Sequence, residues 1–90
     1  MTLTEQIELQ FIGSDYKGEE ETERLLGEIV GAPAKCYDVV IDDGVDDDET
    51  EDVYIMRACF CFDGDPTIVR LYYGDVTEEI CYVDVAEPAI

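Results

Sequence analysis

The sequence predicts an α+β domain in the order β-α-β-β-β-β, a mostly antiparallel sheet with one helix packed on one face. Three observations predict it. Apolar and polar residues alternate over several short runs, which is the period of a strand. One run alone, residues 19–30, repeats its apolar residues at helical spacing. The last four strand-like runs follow one another through polar or turn-forming pieces, the pattern of successive hairpins.

Residues 4–12, TEQIELQFI, put Ile7, Leu9 and Phe11 on one side and Gln6, Glu8 and Gln10 on the other, which predicts a half-buried first strand. Gly13-Ser14-Asp15 ends it. In EEETERLLGEIV, Thr22, Leu25, Leu26 and Ile29 fall at i, i+3, i+4 and i+7, one face of a helix. Glu19, Glu20 and Glu21 sit in its first turn, where the helix dipole favours negative charge. Ser14 or Asp15 is available to cap a slightly earlier start. Gly31 suits the helix end and Pro33 blocks continuation. Gly27 costs the helix about 1 kcal/mol relative to Ala, which suggests close packing on the sheet.

Residues 36–42 predict a strand with Tyr37, Val39 and Ile41 on one face. In residues 53–62, Tyr54, Met56, Ala58, Phe60 and Phe62 share a face, and Ile55, Arg57, Cys59 and Cys61 share the other. Asp63-Gly64-Asp65-Pro66 is a turn by composition. Residues 67–73 and 78–85 predict the last two strands, with Gly74-Asp75 turning the chain between them. The whole, residues 1–90, reads as one domain without repeat or linker, and 47 % hydrophobic residues suffice for a modest core.

The formal net charge is −19, from 24 Asp and Glu against 5 Lys and Arg, with no His. Small soluble domains typically carry a magnitude of roughly 2–8. Self-repulsion on this scale destabilises a compact state, so a cationic partner or a high-salt surrounding is expected to offset it. Abundant, periodic apolar residues argue against disorder. Direct binding to nucleic acid or anionic lipid needs clustered Lys and Arg, whereas Lys17, Arg24, Lys35, Arg57 and Arg70 are widely spread. There is neither a basic, apolar leader nor an apolar run near the ~20 residues of a membrane span. A cytoplasmic protein with four reduced cysteines acting as small core residues is expected.

Without His, no Ser-His or Cys-His pair exists, and no carboxylate pair stands out as acid and base. The chain reads as a non-enzyme without cofactor. Cys59-Phe60-Cys61 with distant Cys36 and Cys81 is not the paired spacing of a zinc site. A calcium loop starting at Asp46 fails, because its glycine position holds Glu51 and its last position Arg57. No phosphate-binding glycine motif occurs.

The acidic run is the strongest feature. From Asp42 to Asp52, DDGVDDDETED, eight of eleven residues are carboxylates: Asp42, Asp43, Asp46, Asp47, Asp48, Glu49, Glu51 and Asp52. An ordinary charge run is a solvated loop. This one lies between two strand-like runs and adds to Glu19, Glu20, Glu21 and Glu23 on the helix and to Glu78, Glu79 and Asp84 near the last strand. Alternate side chains on one face of an extended segment lie ~6.7 Å apart, while duplex DNA carries one charge per ~1.7 Å of axis. A displayed row of carboxylates can therefore offer a DNA-binding groove a field like that of phosphate, and speed association with it.

Asp38-Val-Val-Ile41, Asp46-Asp-Asp-Glu49, Glu51-Asp52 and Val53-Tyr-Ile-Met56 follow one another in the central hairpin, with Pro66 and Ile80 in the later strands and Glu20-Glu21 ahead of Leu25-Leu26-Gly27 on the helix. In order and spacing these residues resemble the uracil-DNA glycosylase inhibitors of bacteriophages, small acidic proteins that mimic DNA. The family's Glu-Ser-Ile segment is not kept, since Gln10 is followed by Phe11-Ile12. In size and charge the chain equally resembles anti-CRISPR proteins that block a nuclease or surveillance complex. The resemblance implies an inhibitor acting in the host cytoplasm. It would occlude the nucleic-acid site of a basic nuclease, glycosylase or CRISPR effector through residues 42–52 and Glu19 to Glu23, as a monomer or dimer. An immunity protein against a basic nuclease toxin, an acidic housekeeping domain of a halophile and an acidic adaptor in a larger complex are the alternatives.

Overall fold

A computed structural model describes residues 1–42 and 54–87 of the chain. The order is α1 (Leu3–Phe11), α2 (Glu19–Val30), β1 (Ala34–Asp42), β2 (Ile55–Phe62), β3 (Asp65–Gly74) and β4 (Ile80–Ala86). The sheet is antiparallel with strand order β1-β2-β3-β4. The α+β class and the four-strand meander agree with the sequence; the first element does not.

The segment predicted as a first strand is a helix, so the order is α-α-β-β-β-β. A capping box starts it: the Glu5 backbone N–H donates to Thr2 Oγ1 at 3.1 Å, and Glu5 Oε1 accepts from the Thr2 backbone N–H. Ile7 and Phe11 satisfy both periods, because they are four apart. Leu9 decides between them, and it is 71 % exposed while Ile7 and Phe11 are buried. The helix period places Leu3, Ile7 and Phe11 against the core.

The second helix begins and ends where its periodicity indicates. Thr22 and Leu26 are buried, and Leu25 and Ile29 pack beside them. Its N-cap is Gly18 without a side-chain cap, so neither Ser14 nor Asp15 serves there. Thr22 Oγ1 instead donates to the Gly18 carbonyl at 2.8 Å. Gly31 closes the helix in the left-handed region at φ 85°. At Gly27 a Cβ would stand 3.3 Å from the Ala32 carbonyl, so the chain turning back into β1 passes close to the helix.

Both helices lie on one face of the sheet, α1 over β4 and α2 over β1. Between the layers sit Ile7, Phe11 and Leu26 with Ala58, Phe60, Phe62, Val69, Leu71, Ile80 and Val83. The face predicted for β2 is the core face. In β1 the register shifts between Cys36 and Asp38. Val39 and Ile41 stand opposite Ala58 and Met56 on the helix side, whereas Tyr37 lies beside Cys59 and Arg70 on the other side. That bulge divides the face predicted for Tyr37, Val39 and Ile41. The cysteines do not all fill the core: Cys59 is buried, Cys36 and Cys61 are half-buried, and Cys81 is exposed.

Candidate functional site

One end of the sheet gathers acidic and aromatic side chains. Asp42 of β1 stands opposite Ile55 of β2, and Ile55 opposite Gly74 of β3. The chain leaves β1 and re-enters at Tyr54 at this end. The Asp75 N–H donates to the Tyr54 carbonyl at 3.0 Å, and the Glu78 N–H to the Gly74 carbonyl at 2.9 Å. Glu78 has φ 63°, a left-handed conformation that a side chain disfavours. The turn 75–79 therefore presents Asp75, Glu78 and Glu79 from a hydrogen-bonded backbone.

The link between the two helices is stitched to the same place. The Gly13 N–H donates to the Ile80 carbonyl at 3.0 Å and the Ile80 N–H to the Ser14 carbonyl at 2.8 Å. The Tyr16 N–H donates to the Glu78 carbonyl at 2.7 Å. These bonds set Asp15 across from Glu79 and lay Tyr16 on Tyr73, with ring centroids 4.2 Å apart and planes 10° from parallel. The first turn of α2 follows, carrying exposed Glu19 and Glu20.

Burial is the main reason the Tyr16 phenol is held well above its ordinary range, and Cys36, Tyr73, Glu19 and Glu23 add to it. Tyr73 shifts the same way, through burial first and then Cys36, Asp75, Glu19 and Glu78. Tyr16 Oη is buried and accepts or donates no hydrogen bond among the described residues. Burial dominates both shifts, and the neighbouring carboxylates, Glu19 and Glu23 for Tyr16 and Asp75, Glu19 and Glu78 for Tyr73, act in the same direction.

The predicted residues divide. Asp43, Asp46, Asp47, Asp48, Glu49, Glu51 and Asp52 lie outside the described residues, as does the side chain of Asp42. Of the helix residues, Glu19 and Glu20 are displayed at this end. Glu21 forms an ion pair with Arg24, whose hydrogen bond holds the Glu21 carboxyl below its ordinary range. Arg24 also reaches Glu28 at 3.2 Å. Glu23 Oε2 accepts the Cys36 backbone N–H at 2.7 Å and clasps α2 to β1. Asp84 pairs with Arg70 at 2.9 Å on the far face of the sheet. The sequence reading missed Asp15, Asp75, Tyr16 and Tyr73 as members of one site. The available signal was the Gly74-Asp75 turn, which had to bring its carboxylates beside whatever β3 carries at its end.

No group of three Cys, Asp or Glu among the described residues could hold a metal ion. No helix among them is long and apolar enough to cross a membrane. No protein-family model matches the chain, and the curated proteins and the solved structures give no match either.

Proposed function

We propose that the chain is a decoy for nucleic acid: a phage-type inhibitor, of the glycosylase-inhibitor or anti-CRISPR kind. It places carboxylates in the groove of a basic DNA- or RNA-binding host protein and performs no chemistry of its own. The observation that carries this reading is the acidic end. Asp15, Glu19, Asp75, Glu78 and Glu79 are grouped on hydrogen-bonded backbone around a tyrosine stack. The segment containing Asp46 to Glu49 joins the described chain there. Carboxylates held in place forfeit less freedom on binding than those of a trailing tail.

Displacement tests it. A bacterial lysate is bound to DNA-cellulose at low salt, and the protein is passed over it beside polyglutamate at equal charge. The decoy reading expects one DNA-binding protein to be released at near-stoichiometric amounts, with polyglutamate releasing basic proteins indiscriminately. Release patterns that coincide would refute it.

A second reading has its own support. Exposed carboxylates also occur away from this end, at Glu5, Glu28, Asp38, Asp63 and Glu87. That dispersion suits an acidic domain adapted to high salt. Such a domain unfolds in dilute buffer, whereas a decoy retains its circular dichroism there.

A further inference from the structure

At the acidic end the helix layer stops short of the sheet's edge. Ile41 lies on the helix side yet is 52 % exposed, and Met56 opposite it is half-buried. Between this corner and the start of α2 opens a cleft of about 510 Å³, lined by Tyr16, Gly18, Met56, Tyr73, Asp75 and Glu78, with Lys17 also at its wall. That volume falls in the range of sites that hold small ligands, so it has room for one side chain and its water.

We propose that this cleft is a receptor for a guanidinium group, the side chain of one arginine of the partner. The proposal rests on the decoy reading and names the contact that makes it selective. Five of the lining residues have a counterpart in arginine. The aliphatic stem lies along Met56, whose thioether adapts to irregular apolar contacts. The planar, weakly hydrated guanidinium lies against the aromatic wall of Tyr16 and Tyr73. Its N–H fork meets Asp75 and Glu78 at the rim. Phosphate and carboxylate ligands are repelled by the same carboxylates, and a neutral apolar ligand would leave them without a partner. Lys17 is the built-in competitor, although its charge also reaches Glu21. A diffuse acidic surface attracts all basic proteins alike; an aromatic cleft with two carboxylates at its mouth distinguishes a well-placed arginine from the rest.

The test is a magnetic-resonance titration of the whole protein with N-acetyl-arginine amide, following the Met56 methyl and Tyr73 ring signals. N-acetyl-citrulline amide, the neutral isostere, is the control. A saturable shift with a dissociation constant on the order of millimolar is expected for one lone side chain, and no saturation for citrulline. Asp75→Asn with Glu78→Gln should weaken it by at least about tenfold, since even one lost charge-assisted contact is worth about that much. Glu5→Gln with Glu8→Gln, an equal change of charge elsewhere, should alter it by less than about twofold. Lys17→Gln should tighten it. Equal shifts with citrulline, or equal losses in the two double variants, would overturn the cleft. Amide spectra of each variant report whether the fold is kept. The two proposals fail separately. Arginine amide bound in the cleft with nothing released from DNA-cellulose removes the decoy and leaves the cleft. Selective release unaffected by Asp75→Asn with Glu78→Gln removes the cleft and leaves the decoy.

Discussion

Glu78 holds a left-handed backbone conformation at φ 63° in the turn that carries the acidic cluster. For a residue with a Cβ that costs about 1–2 kcal/mol. Glu78→Gly should therefore raise stability by roughly 1 kcal/mol, read as a higher urea midpoint, with glycine's own unfolded-state entropy opposing part of the gain. An unchanged or lower midpoint would mean that the conformation is not strained. The tyrosines give a pH prediction. Tyr16, Tyr37 and Tyr73 all have raised phenol pKa values, burial being the first cause of each. The unfolded chain would lose these protons first, so their contribution holds below about pH 10, the ordinary phenol value, and is lost as the pH rises above it. Phenolate absorbance should accordingly lag behind that of free tyrosine above pH 10 and catch up only on unfolding.

At the scale of elements, α2 was legible to the residue because several signals coincided: Thr22 and Leu26 in period, acids in the first turn, Gly31 and Pro33 at the end. The first helix was not, because Ile7 and Phe11 fit a strand as well as a helix, and the capping box of Thr2 and Glu5 was the discriminating sign. Two alanine variants separate the possibilities. Ile7→Ala should cost about 2–5 kcal/mol, as a core truncation does, while exposed Leu9→Ala should stay within about 0.5 kcal/mol. A strand with both facing inward would lose stability at both. The β-strands were legible from alternation, but the bulge between Cys36 and Asp38 was not, since pairing and not composition creates it. Glu23 shows the same limit. Its charge suggested a partner contact, yet it accepts the Cys36 N–H. Glu23→Ala should therefore cost about 1–3 kcal/mol, with Glu20→Ala nearly neutral, in thermal or urea unfolding.

At the scale of the molecule, the net charge of −19 sets two opposite responses to salt. Folding should gain stability as salt screens self-repulsion, and partner binding should weaken as salt screens attraction. Composition made the acidity legible. The grouping of Asp15, Asp75, Glu78 and Glu79 at one end was not, because they are brought beside Tyr16 and Tyr73 by the Gly13–Tyr16 link crossing to the β3–β4 turn. The most direct measurement is a calorimetric titration of the protein released from DNA-cellulose. Wild type is compared with a variant carrying Asp46→Asn, Asp47→Asn, Asp48→Asn and Glu49→Gln. The decoy account predicts an intact fold, an affinity lower by at least about tenfold and a shallower salt dependence, since fewer charges are screened. An affinity and salt slope equal to wild type would contradict it.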